Sequence, residues 1–262
     1  MAEQGAEPAI VLEQLRKSFE DKEVLKGIDL AVSPGQVLGY IGPNGAGKTT
    51  TVKILIGMLD GFTGNARVCG LDVARDPLEV KRRVGYVPEA GALYEALTPM
   101  EFLSLIGRLF DIQPAPLERK AVELLRIFDL QDRRNERMTT FSKGMKQKVL
   151  IIAGLIHNPE VIFLDEPLCG LDANSAVVVK ELVASLAAAG RTVFYCSHMM
   201  DIVERVYHRI VIVDEGRIVA DGTFESLQSG VKEASLERIF TQLTSAGGQE
   251  QAARDFVRVI EG

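Results

Sequence analysis

The sequence predicts an α/β fold built on a mostly parallel sheet, and three observations carry the prediction. Residues 161–164 and 192–196 are short, nearly continuous apolar runs, as in parallel strands buried on both faces. Between them, residues 175–189 read as a helix ended by Gly190, which gives strand, helix, strand. Upstream, the apolar strand 37–41 runs into a glycine-rich loop. Val52, Leu55, Ile56 and Leu59 then fall at helical spacing, predicting a helix over 48–59.

The remaining elements follow in chain order. Ile28, Leu30 and Val32 alternate with Asp29 and Ala31, a half-buried strand in a small N-terminal antiparallel β unit. Ser33-Pro34-Gly35 marks the turn out of it. Thr98, Pro99 and Glu101 form a helix start signal, with Phe102, Leu105, Ile106 and Leu109 behind it. Pro114-Ala115-Pro116 separates that helix from a second one carrying Val122, Leu125 and Phe128, and Ser142 caps a third. The helical stretch 98–156 thus reads as an insert in the α/β core. Residues 210–213 form a further strand, and Asp214-Glu215-Gly216 turns into Ile218-Val219-Ala220. Residues 1–230 are read as one unit and 231–262 as a helical tail. In the tail, Leu236, Ile239, Phe240 and Leu243 make an amphipathic stripe expected to cover the core. Ser245-Ala246-Gly247-Gly248 reads as a flexible joint before a final helix over 252–260.

Composition narrows the function classes. The 262 residues allow one large domain or two small ones, at roughly 150 residues per domain. The formal net charge is -6 and no long basic run occurs, which disfavours nucleic acid as the main partner. Cys69, Cys169 and Cys196 are scattered, with no metal-ligand spacing, and read as reduced thiols packed as small core residues. Met1-Ala2-Glu3-Gln4-Gly5 lacks the basic-then-apolar pattern of a signal peptide. The longest apolar run, 149–156, is far short of the ~18 residues that span a bilayer. The chain is therefore expected to be soluble by itself, so that work at a membrane requires something else to hold it there.

Four motifs carry chemistry. Gly42-Pro43-Asn44-Gly45-Ala46-Gly47-Lys48-Thr49 fits GxxxxGK[ST] at every fixed position, after a strand and opening a helix. Glycines let several backbone N–H groups turn toward a phosphate, and the helix adds its positive end. Lys48 is suited to the β- and γ-phosphates and the Thr49 hydroxyl to Mg²⁺. Asp165 and Glu166 stand at the carboxyl end of the strand 161–164, where open α/β sheets bind ligands. Asp165 can hold the shell of Mg²⁺, and Glu166 can orient or deprotonate an attacking water. His198, just past another strand, can hydrogen-bond a γ-phosphate and sense its loss, although a lone histidine reads as structural without the other motifs. His157 and His208 lack such context and read as structural. Finally, Ser142 as a cap leaves N–H groups free at Lys143 and Gly144, a second anion-ready helix start. Taken alone, that segment also reads as an ordinary capped helix with a solvated lysine. Two anion sites in one small chain make sense if one serves a nucleotide held by another copy.

Together these residues resemble the nucleotide-binding subunit of an ABC (ATP-binding cassette) transporter, with the motifs in the family's order from Phe19 to His198. The resemblance implies a P-loop NTPase core. Gly42 to Thr49 corresponds to the Walker A loop, 161–166 to Walker B with its catalytic glutamate, Ser142 to Met145 to the signature, Gly170-Leu171-Asp172 to the D-loop and His198 to the switch histidine. Phe19, before Glu20-Asp21-Lys22-Glu23, is similar to the aromatic that stacks on adenine, an interaction of roughly 1–3 kcal/mol; the alternative is a core aromatic. The implied site has Glu166 and His198 as catalytic residues, and Thr49, Asp165 and Glu89 toward Mg²⁺. Phe19, Gly42, Pro43, Asn44, Gly45, Ala46, Gly47, Lys48, Thr49 and Thr50 face ATP. Ser142, Lys143, Gly144 and Met145 act in trans on the nucleotide of a second cassette, a homodimer being expected. An integral membrane permease subunit is the implied partner, meeting the helical insert at the cytoplasmic face.

Three departures from the family pattern stand out. The signature reads Phe141-Ser142-Lys143-Gly144-Met145 where Leu-Ser-Gly-Gly-Gln is common, and Glu89 follows Tyr86-Val87-Pro88 where glutamine is usual. A carboxylate reaches the Mg²⁺ shell but cannot donate as an amide does. Cys169 stands before the D-loop in place of a small polar residue. The first two departures, and the tail segment 235–244, resemble an exporter-like branch with separately encoded membrane subunits. The competing reading is a soluble ABC-type ATPase acting on DNA, ribosomes or protein complexes. Zinc-binding cysteines, coiled-coil inserts and a second phosphate loop, which mark such proteins, are missing. A non-catalytic regulatory module is disfavoured by Glu166 and His198, and a GTPase by the lack of Asn-Lys-x-Asp.

Overall fold

The computed structural model describes residues 7–89, 93–197 and 207–231, together with 240, 244, 256 and 258–260. Strands β1 (Ile10–Phe19) and β2 (Lys22–Val32) form an antiparallel hairpin. It joins β4 (Thr63–Val68) and β5 (Leu71–Asp72) in a four-stranded sheet of order β2-β1-β4-β5. The second sheet runs β10-β9-β3-β8-β7-β6. Here β3 (Val37–Ile41), β6 (Val84–Val87), β7 (Val161–Asp165), β8 (Thr192–Ser197) and β9 (Arg209–Asp214) run parallel to one another. Only β10 (Arg217–Gly222) runs antiparallel, at the edge beside β9. The architecture is the expected α/β one with a separate antiparallel sheet.

The alternation of side chains in the central strands explains their continuous apolar sequence. Phe163 and Phe194 point into one core, shared with the antiparallel sheet, where the rings of Tyr40 and Phe163 stand 4.9 and 5.5 Å from that of Phe194. Their neighbours Ile162, Leu164, Val193 and Tyr195 point into a second core under the helices. The parallel sheet is therefore a wall between two apolar compartments, and polar residues on either face would be buried without partners.

Helix α2 (Pro77–Arg83) precedes β6, and helices α3 (Pro99–Leu109), α4 (Pro114–Ile127) and α5 (Lys143–Leu155) lie between β6 and β7 in the chain. The α3 start is a complete capping box: Thr98 Oγ1 accepts from Glu101 N–H at 3.2 Å, and Glu101 Oε2 accepts from Thr98 N–H at 2.8 Å. Pro114-Ala115-Pro116 opens α4 rather than separating two helices, because proline is tolerated in a first turn whose N–H groups lack partners.

Other boundaries shift for identifiable reasons. Helix α1 is Lys48–Leu55, not 48–59. Gly57, at φ +66°, closes it: Met58 N–H bonds Lys53 O at 2.8 Å and Gly57 N–H bonds Ile54 O at 2.9 Å, a Schellman pattern. Leu59 keeps helical spacing but lies past this stop. Helix α6 is Ala173–Ala188, starting earlier than residue 175 because Asp172 is its cap, accepting from Ser175 N–H at 2.9 Å. Cys196 is buried as expected, whereas Cys69 and Cys169 are only half-buried. After β10 comes the helix Phe224–Val231. Most of the tail stripe lies outside the described residues. Phe240 packs against Ile41, Ile210, Ile212 and Leu227, but Phe256, Val259 and Ile260 are exposed, so these three do not cover a core.

Candidate functional site

The site lies beyond the carboxyl ends of the parallel strands. The loop between β3 and α1 curls back through Gly45 and Gly47, at φ +84° and +102°. Lys48, the first residue of α1, is 7% exposed and folds into the loop it ends. Its Nζ donates to Gly42 O at 2.7 Å and to Pro43 O at 3.1 Å. A second tie comes from β9 and β10, whose turn residue Gly216 donates to Ala46 O at 3.2 Å.

Register in the parallel sheet brings the second motif alongside. Asp165 ends β7, and its Oδ2 accepts from Thr49 Oγ1 at 2.9 Å. Burial pushes the Asp165 carboxyl above the ordinary aspartate range, Thr49 opposes this through its hydrogen bond, and the neighbouring Glu166 adds to the rise. Glu166 is 8% exposed and has φ +48°, a left-handed conformation unusual for a long side chain. Its N–H bonds Cys196 O at 3.0 Å, and its Oε2 accepts from Ser197 Oγ at 3.1 Å. A backbone held in this region costs on the order of 1–3 kcal/mol and persists only where surrounding structure enforces it.

A cleft of about 250 Å³ gathers Asn44, Gly45, Gly47, Lys48, Thr49, Thr50, Glu89, Asp165 and Glu166, with Lys22 and Val24 of the hairpin as its other wall. Phe19 is outside that lining. It stands on the same hairpin, paired with Lys22, the residue 44% exposed and its ring capped by Lys17 Nζ at 5.1 Å from the centroid. Phe19 is thus not a core aromatic.

Ser142, Lys143, Gly144 and Met145 are likewise away from the cleft, at the start of α5. Ser142 Oγ accepts from Met145 N–H at 3.2 Å, and Lys143 Nζ donates to Cys169 Sγ at 3.2 Å. The Met145 thioether accepts from Arg133 Nη1 at 3.4 Å, and the same guanidinium holds Glu136. His198 lies outside the described residues. His208 and His157 make backbone contacts: Val37 N–H donates to His208 Nδ1 at 3.0 Å, and His157 Nε2 is 2.9 Å from Val84 O.

Sequence reasoning missed Lys22, Ser197 and the buried Gln147 of α5. The apolar groove of about 600 Å³ between α3, α5 and the end of α1 was missed as well; it is lined by Ile56, Met58, Phe102, Ile106, Leu109 and Phe110 among others. A loose alternation from Lys22 through Val24 was the only signal for the first. Ser197 and Gln147 act on residues far away in sequence, so no local pattern marks them.

The donor set fits a hard cation beside a phosphate. Among the described residues no cluster of three or more His, Cys, Asp or Glu side chains could hold a metal alone. One hydroxyl and one carboxylate side by side, with Glu89 in the same cleft, instead match Mg²⁺, which keeps several oxygen ligands from water and phosphate. No helix among the described residues is long and apolar enough to cross a membrane.

The family model described as ABC transporter matches residues 25–169. A daunorubicin resistance ATP-binding protein of Streptomyces coeruleorubidus is 40% identical over 221 residues, covering 84% of this chain and 69% of that protein. A Nod factor export ATP-binding protein of Paraburkholderia xenovorans (strain LB400) is 35% identical over 221 residues, covering 84% and 73%. A solved structure described as the ATP binding subunit of an ABC transporter is 32% identical with a TM-score of 0.84, covering 90% of this chain and 99% of that one.

Proposed function

This chain belongs to the ABC transporter ATP-binding family, and on that premise we propose that it hydrolyses ATP to drive export through a separate membrane-spanning subunit. ATP binding and coupling to transport come with the family. Export is supported by the relatives, one of which is named for export and another for drug resistance. A soluble role on DNA, ribosomes or protein complexes has no support among them.

The observation that carries hydrolysis is the meeting of Lys48, Thr49, Asp165 and Glu166 in one cleft. Lys48 and the N–H groups from Gly42 to Thr50 hold the phosphates, and Phe19 stacks on the base. Thr49, Asp165 and Glu89 would hold Mg²⁺, which when bound would neutralise phosphate charge. Glu166 accepts a proton from water as its oxygen bonds the γ-phosphorus and the bond to the β-phosphate oxygen breaks. His198 contacts the γ-phosphate. Ser142, Lys143, Gly144 and Met145 complete the site on a second copy of the chain, so that ATP closes a homodimer and phosphate release reopens it.

The domain reading is that 98–156 forms the insert that meets the membrane subunit, with residues 1–230 as the ATP-binding unit and 231–262 as its tail. The exposed apolar groove beside α3 supports a protein partner on that face. On this reading the chain sits peripherally on the cytoplasmic face of the membrane.

The test is a pull-down of tagged Glu166→Gln protein from detergent-solubilised host membranes with ATP present. The expected result is near-stoichiometric recovery of one integral membrane protein. Recovery of ribosomes, DNA or soluble proteins alone overturns the transport reading and leaves the ATPase chemistry standing.

A further inference from the structure

One buried side chain touches the backbone beside two of the three carboxylates that line the nucleotide cleft. Gln147, on the second turn of α5, is 3% exposed. Its Nε2 donates to Pro88 O at 3.4 Å and to Pro167 O at 3.3 Å. Pro88 immediately precedes Glu89, and Pro167 immediately follows Glu166. A neutral NH₂ is the one uncharged side-chain group with two hydrogens on a single atom. Glutamate in its place would set a carboxylate against two carbonyl oxygens, and methionine would leave both carbonyls without this donor.

The rest of the same helix face is fastened to the segment after Glu166. Lys143 reaches Cys169 at 3.2 Å, and Lys148 Nζ reaches Asp172 Oδ2 at 3.5 Å. At position 144 a Cβ would stand 2.5 Å from Gly170 O, so only glycine allows this approach. Residues 167–172 are therefore docked on the first turns of α5, and Gln147 is the contact that also reaches the Glu89 segment. The start of α5 is the part of the helix that carries Ser142.

We propose that Gln147 is a positioning residue for ATP hydrolysis. It fixes Glu89 and Glu166 relative to each other across the cleft and moves both when the start of α5 engages the partner's nucleotide. It touches no reacting atom. This inference rests on Glu166 as the proton acceptor, and the test separates the two.

The experiment is a double-mutant cycle on the full chain, with steady-state ATPase and ATP binding measured for each variant. Gln147→Met keeps side-chain volume and removes both donated bonds. It is expected to lower kcat about 10-fold or more, the scale of a small misplacement of a catalytic group, with KM for ATP within about threefold. In the Glu166→Gln background the same change should lower the residual rate by less than about twofold, because the group it positions is already disabled. An equal loss in both backgrounds, a change confined to KM, or an unchanged kcat overturns the proposal. Should Gln147→Met fail to fold, Gln147→Asn keeps the NH₂ but cannot span both carbonyls. Folded Gln147→Asn is expected to lose kcat in the same non-additive way, and full activity from it overturns the proposal. Normal turnover from Glu166→Gln alone would instead strike the function reading beneath it.

Discussion

Thr49 and Asp165 lie 116 positions apart in sequence, yet the threonine Oγ1 donates to the carboxylate Oδ2 at 2.9 Å. The first residues of α1 and the last of β7 are brought together by register in the parallel sheet, where β3 and β7 both flank β8. That contact joins the phosphate loop to the acidic strand end.

Removing the hydroxyl should uncouple the two motifs. Thr49→Val is expected to raise the Mg²⁺ concentration for half-maximal ATPase activity by at least about tenfold. Titrating Mg²⁺ at fixed ATP measures this. An unchanged midpoint would remove Thr49 from the cation site.

Glu166→Gln should retain ATP binding and lose turnover by roughly 10²–10⁴-fold, the scale of a general base. Nucleotide affinity by fluorescence and phosphate release by a coupled assay separate the two effects. Turnover equal to the parent's would eliminate Glu166 as proton acceptor.

Ser142→Ala should weaken ATP-driven dimerisation while sparing ATP binding by the monomer. It also removes the cap of α5, costing about 1 kcal/mol of stability. Sedimentation with and without ATP reads the first effect, and denaturant midpoints read the second. Loss of monomer binding would argue against a site shared between copies.

His157 introduces a pH dependence of folding. Burial lowers its pKa below the ordinary 6.5, the Val84 carbonyl opposes this, and nearby Lys120 adds to it. The imidazole also stacks on Phe110 at 3.7 Å. Below pH 6.5 the unfolded chain takes up a proton that the folded chain resists, so stability falls as pH drops through that value. His157→Phe should show a shallower loss than the parent between about pH 7 and 5 in urea unfolding. Identical slopes would mean that other groups set the dependence.

The sequence is most legible where function needs particular residues side by side. The loop from Gly42 to Thr49 must curl within eight positions, so its requirement is written locally. Buried parallel strands are legible for a similar reason, since both neighbours of Phe163 must be apolar. The end of α1 was readable only by weighing Gly57 above Leu59, a local stop against a periodic pattern. Gln147 and Ser197 were not readable, because each acts on groups that the fold alone brings near: Pro88 stands 59 positions from Gln147, and Glu166 stands 31 from Ser197. The left-handed backbone of Glu166 was equally silent, as nothing in a glutamate between aspartate and proline announces it.

That backbone has a consequence for engineering. At φ +48° the position favours glycine, asparagine or aspartate over glutamate on conformational grounds. Selection for heat resistance alone, with no demand for activity, should therefore enrich glycine at 166 and return dead proteins tougher than the parent. Breeding a more robust variant of this chain would require an activity screen in the same round, because thermal tolerance and turnover pull opposite ways at one residue.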